Sequence, residues 1–65
     1  MAKTILLASA PDSAGLRGLI AQYYYTDPEK VILGDSGAIF LGEKQLGTKW
    51  EKRRGRLRFL MICEQ

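Results

Sequence analysis

Lys49-Trp50-Glu51-Lys52-Arg53-Arg54-Gly55-Arg56-Leu57-Arg58-Phe59 reads as a strand, a tight turn and a second strand, with cations at the tip. Arg53-Arg54-Gly55 is the expected turn, in which Gly55 supplies the positive φ of a type I turn with a following bulge. Past the turn, Leu57, Phe59 and Met61 share one face of a strand, and Arg56 and Arg58 share the other. The stretch thus predicts a basic β-hairpin over about residues 48–62. Leu60 and Ile62 then return apolar groups to the arginine face. That face is expected to be partly covered near the C-terminus, by a chain terminus or a second subunit.

Working outward, the charge is strongly polarised. Lys44, Lys49, Lys52, Arg53, Arg54, Arg56 and Arg58 stand against the single acid Glu51, a local balance of +6. The remainder holds three bases and six acids, so the overall +3 conceals a basic end on an acidic body. Clustered cations are the electrostatic footprint of an anionic partner.

Upstream, Lys30-Val31-Ile32-Leu33 and Ala38-Ile39-Phe40-Leu41 flank Gly34-Asp35-Ser36-Gly37, which predicts another hairpin. Gly42 to Gly47 reads as a polar connector. Thr4-Ile5-Leu6-Leu7-Ala8 is apolar without alternation, which suits a strand buried on both faces or a central one. Ser9 to Ser13 breaks it with turn residues, and Asp12 or Ser13 is suited to cap a helix. Leu16, Leu19, Ile20 and Tyr23 recur at helical spacing, predicting a helix from about Asp12 to Tyr25. Gly15 and Gly18 would let it approach a sheet closely, and Asp27-Pro28 would end it. Of three consecutive tyrosines, Tyr23 continues the apolar stripe, Tyr24 lies beside Ile20, and Tyr25 points outward. The order β-α-β-β-β-β predicts an α+β fold: a small two-layer sandwich with one helix on a mostly antiparallel sheet. The expected organisation is a single domain over 1–65.

The hairpin's side chains suit phosphate. Arginine offers a planar fork matched to phosphate oxygens, and lysine a point charge. A two-stranded ribbon fits the major groove of B-DNA. The candidate nucleic-acid-binding set is Lys49, Trp50, Lys52, Arg53, Arg54, Arg56 and Arg58. Trp50 is either a group on which a base stacks or the hairpin's anchor in the core. The bland alternative is a solvated hairpin whose charges prevent edge-to-edge pairing. The leading expectation is a small non-enzymatic nucleic-acid-binding protein, contacting about five or six phosphates of DNA or RNA. The alternative is a protein-binding module, an inhibitor or adaptor of the kind that phage and mobile elements encode, docking on an acidic protein surface. Its weaker interface candidates are Tyr25, Leu60 and Ile62.

Other chemistry is poorly supported. With no histidine, a Ser-His-Asp arrangement around Asp35 and Ser36 is impossible. Asp35 and Glu43 are not brought together by anything in the sequence. Residues 9–15 join a strand to a helix but lack the glycine-lysine-serine/threonine ending of a phosphate loop. Cys63 is the single cysteine, which excludes an internal disulfide and leaves too few ligands for a zinc site; it is expected to be a small core hydrophobe. No metal, cofactor or enzymatic activity is expected. No apolar run approaches the roughly 20 residues that span a bilayer, and no membrane partner is expected. The lone thiol and the lack of a visible targeting segment point to the cytoplasm. A 65-residue chain buries only about 60% of its unfolded surface. Self-association, a homo-oligomer, is one way to offset that deficit.

Overall fold

The computed structural model describes residues 2–64. The chain folds as β1 (Ala2–Ala10), α1 (Ser13–Tyr24), a short 3-10 turn (Pro28–Lys30), β2 (Val31–Leu33), β3 (Ala38–Leu41), β4 (Lys44–Arg53) and β5 (Arg56–Glu64). The strands form one antiparallel sheet in the order β1-β5-β4-β3-β2. The helix covers one face, so the fold is the expected two-layer α+β arrangement.

Local chemistry explains the helix. Asp12 is its N-cap, with Oδ1 accepting from the Gly15 amide at 2.7 Å. A Cβ on Gly15 would lie 3.3 Å from that of Ala10, so this glycine does permit close approach to β1. Gly18 faces open space instead. The helix ends earlier than Asp27-Pro28 suggests. Tyr25 turns left-handed at φ 56, and the Thr26 amide donates back to the Ala21 carbonyl at 2.9 Å. Asp27-Pro28 opens the 3-10 turn, with Asp27 Oδ1 accepting from the Glu29 amide at 3.0 Å.

The core lies between α1 and the sheet. Leu16 and Ile20 of the helix meet Val31, Ile39, Leu57 and Phe59, all buried. Burying each such side chain contributes about 1.5–3 kcal/mol before entropy is counted. Phe59 stands edge-on to Tyr23 with ring centres 5.3 Å apart, although Tyr23 stays partly exposed. Tyr24 reaches the sheet through its hydroxyl, 2.7 Å from Thr48 Oγ1. Thr48 is the buried polar side chain of the sheet and finds its partner here.

Three expectations are corrected. First, β1 is neither central nor buried on both faces: it is an edge strand, and Ile5 and Leu6 are exposed. A register shift between Leu6 and Ala8 inserts Leu7 as a bulge opposite Phe59, which lets a run without alternation serve a half-buried strand. Second, the segment from Gly42 to Gly47 is not a connector. Gly42, at φ 63, and Glu43 form a two-residue turn, and β4 already begins at Lys44. The polar residues there occupy a strand whose exposed side faces water. Third, the turn of the basic hairpin has two residues rather than three. Arg53 pairs with Arg56, and both Arg54 (φ 54) and Gly55 (φ 78) are left-handed. That is a type I′ turn, whose twist matches the flanking strands better than a type I turn does. Cys63 is half-buried, a partial match to the core role expected of it.

Candidate anion-binding cleft on the basic hairpin

Register decides what each hairpin side chain can do. Opposite residues in an antiparallel pair project to the same face. The pairs Trp50–Phe59, Thr48–Met61 and Lys52–Leu57 therefore look toward the helix. The pairs Lys49–Leu60, Glu51–Arg58 and Arg53–Arg56 look toward the open face, joined by Ser9 opposite Arg58. The cations expected to act together are thus divided. Arg53, Arg56, Arg58 and Lys49 share the open face, whereas Lys52 stands alone on the helix side.

Trp50 is on the helix side too. Its indole Nε1–H donates to the Gly34 carbonyl at 3.0 Å, and its ring packs against the core. Gly34 belongs to the β2–β3 turn, so Trp50 ties one hairpin to the other. Of the two roles expected for this residue, the geometry matches the anchor.

On the open face, Ser9, Arg53, Arg54, Arg56 and Arg58 line one shallow cleft of about 320 Å³. Arg56 Nε donates to Ser9 Oγ at 3.0 Å, which steers its guanidinium over the end of β1. Arg58 Nη1 meets Glu51 Oε2 at 2.8 Å, which holds Arg58 upright against β4. Arg53 and Arg54 carry no side-chain bond to a protein group among the described residues. The cleft thus presents four guanidinium groups and one hydroxyl, with one carboxylate already engaged. Arginine forks, a hydroxyl and little competing negative charge suit the oxygens of a phosphate or carboxylate.

Two choices here run against local stability. Arg53 and Arg56 face each other directly, where like charges are destabilising. Arg54 occupies a left-handed position that costs most L-residues roughly 1–2 kcal/mol and that asparagine or glycine usually fills.

Sequence reasoning missed Ser9, because its place beside Arg58 follows from β1–β5 pairing, which no local pattern reveals. The interface candidates separate. Tyr25 is 97% exposed, as expected, and Ile62 is partly exposed. Leu60 is 4% exposed, filled in by its neighbours Leu6 and Lys49, and offers little surface to a partner. No group of three or more metal-ligating side chains occurs among the described residues, and no helix is long and apolar enough to cross a membrane. No family model matches the chain, and neither does a curated protein or a solved structure.

Proposed function

We propose that this chain is a non-enzymatic nucleic-acid-binding protein that grips backbone phosphates in the arginine cleft of its β4–β5 hairpin. The observation that carries the reading is the convergence of Arg53, Arg54, Arg56 and Arg58 on one cleft. Three of them sit where the backbone (Arg54) or the opposite strand (Arg53 and Arg56) disfavours arginine. Positive charge kept at a local cost is better accounted for by an anion that uses it than by solubility. Arg54 and Arg53 at the tip meet the anion first. Arg56, already oriented by Ser9, holds it with less ordering entropy, and Arg58 adds the fourth contact on exchanging Glu51 for phosphate. Lys49 extends the cationic face along β4, and Lys52 adds long-range attraction from the other side.

The test is a fluorescence titration against labelled duplex DNA, single-stranded DNA and RNA at several salt concentrations. Four arginine–phosphate contacts give a slope of roughly −3.6 in log K against log salt on duplex DNA. Between about 50 and 200 mM salt, affinity then falls by roughly a hundredfold. An affinity that ignores salt, or one that survives replacement of Arg53, Arg54 and Arg56 by Ala, sinks the reading.

A second reading has its own observation. Tyr25 is an aromatic residue held left-handed and 97% exposed at the end of α1. Exposed tyrosine is a common anchor in protein interfaces. In this reading the protein is an adaptor or inhibitor on an acidic partner, steered by the hairpin and seated through Tyr25. Partner capture with nuclease present separates the two: retention after digestion supports a protein partner, and loss supports nucleic acid.

A further inference from the structure

Among the described residues, four of the six exposed large apolar side chains lie by one edge of the sheet; of the other two, Ile32 lies on the opposite edge strand and Tyr25 at the end of α1. Ile5 (45% exposed) and Tyr23 on the helix side, with Leu6 (51%) and Ile62 on the open side, all border β1 or its neighbour β5. On the helix side they adjoin a mostly apolar cleft of about 300 Å³ between α1 and β1, lined by Leu7, Ala8, Leu19, Gln22, Tyr23 and Phe59. The two edges of the sheet are unequal. At one, β2 is three residues long and follows the Pro28–Lys30 turn. At the other, β1 is nine residues long and uncharged from Thr4 to Ala8. Short edges and edge charges are the usual guards against strand addition, and the Thr4–Ala8 tract of β1 has neither. Its bulge at Leu7 leaves the stretch up to Leu6 in regular register.

We infer that β1 is the pairing strand of a homodimer, docking antiparallel on β1 of a second copy about a two-fold axis normal to the sheet. The axis passes midway between the two copies of one residue of Thr4–Leu6. An uncharged apolar strand calls for an uncharged apolar partner, and the chain supplies one in itself. Antiparallel self-pairing is isologous, so every contact is made twice. In each register centred on Thr4, Ile5 or Leu6, Lys3 faces Ile5, Leu7 or Ser9 rather than its own copy. A strand laid along this edge covers Ile5 on one face and Leu6 on the other.

Charge favours the same arrangement. β1 runs toward the hairpin tip, since Ala10 pairs with Leu57 next to the turn. Antiparallel docking therefore points the two arginine clefts in opposite directions. At about 3.3 Å per residue, the two Ser9 positions lie roughly 20–33 Å apart along the strands. The Debye length is only about 8–10 Å at ordinary ionic strength, so repulsion between the clefts is screened. A two-fold normal to the sheet also leaves both clefts on the same side of one continuous sheet, with both helices on the other.

The test uses the full chain. Cys63→Ser is combined in turn with Thr4→Cys, Ile5→Cys and Leu6→Cys, and each is oxidised mildly. A face-preserving axis sets one residue opposite its own copy, with Cα atoms about 4.5–5.5 Å apart, which is within disulfide reach. One of the three variants is expected to form a covalent dimer rapidly, while Ile32→Cys on the opposite edge forms none. Sedimentation of the unaltered chain is expected to give a dimer at high micromolar concentration. Leu6→Lys is expected to raise the dissociation constant at least roughly tenfold with circular dichroism unchanged. A monomer at high micromolar concentration, cross-linking through residue 32 alone, or no cross-linking from residues 4–6 overturns the inference. The readout is independent of nucleic acid, so it stands or falls apart from the function proposed above.

Discussion

The indole of Trp50 donates to the carbonyl of Gly34 at 3.0 Å, and this bond fixes the basic hairpin to the turn of its neighbour from the side opposite the arginines. The same carbonyl accepts the Gly37 amide at 3.1 Å, and the Trp50 amide donates to the Gly37 carbonyl at 2.9 Å. Charge and anchorage are thereby assigned to different faces of the hairpin.

Trp50→Phe keeps the apolar ring and removes the indole donor. It is expected to cost about 1 kcal/mol, the usual net worth of one hydrogen bond. Trp50→Ala also opens space in the core and is expected to cost roughly 2–4 kcal/mol. Chemical denaturation measures both. Anion binding by the folded fraction should not change in the Phe variant. A marked loss there would return Trp50 to the role of a stacking group.

Arg54 is expected to show opposite effects on stability and binding. Arg54→Asn creates the Asn-Gly pair preferred in type I′ turns and relieves a positive-φ penalty, so stability should rise by about 0.5–1 kcal/mol. Removing one phosphate contact should reduce the salt slope by about 0.9 and weaken binding to every sequence alike. Equal stability with unchanged binding would mean that the turn holds arginine for neither reason proposed.

Much of this layout is legible in the residues, and the gaps have specific causes. The alternation of Leu57, Phe59 and Met61 with Arg56 and Arg58 gives β5 its two faces because period 2 is local. The Gly34–Gly37 hairpin is legible for another local reason, two β-rich runs around a glycine-bounded turn. The two-residue turn at Arg54-Gly55 is not, because arginine is a rare occupant of left-handed backbone and a longer turn spares it that conformation. The edge position of β1 is hidden for another reason. Thr4-Ile5-Leu6-Leu7-Ala8 is as apolar as a central strand, and only long-range pairing shows that nothing lies beyond it among the described residues. Ser9 joins the arginine cleft through that same pairing, 47 residues away in sequence from Arg56.

The bond between Tyr24 and Thr48 clamps the C-terminal end of α1 to the middle of the sheet at 2.7 Å. Tyr24→Phe leaves the buried Thr48 hydroxyl without its partner and is expected to cost about 1–3 kcal/mol. Thr48→Val in the same background replaces that hydroxyl with a methyl and should recover part of the loss. A double-mutant cycle by thermal or denaturant unfolding reads the coupling. Additive effects would show that the contact contributes nothing beyond packing.

Glu51 is an acid on the cationic face, and it engages Arg58 at 2.8 Å with both side chains partly open to solvent. Such a pair contributes only about 0–1 kcal/mol to stability, so Glu51→Gln should unfold at nearly the same denaturant concentration. Its effect on binding should be larger, because the substitution removes a competing carboxylate and releases a guanidinium into the cleft. Arg58 already counts among the four phosphate contacts, so the salt slope should stay near roughly −3.6 on duplex DNA while affinity at low salt rises several-fold. If Glu51 instead matters by holding Arg58 in position, the same variant would bind more weakly with an unchanged slope. The direction of the change in affinity therefore distinguishes a competing acid from a positioning one, and the open, solvent-screened setting of the pair favours competition.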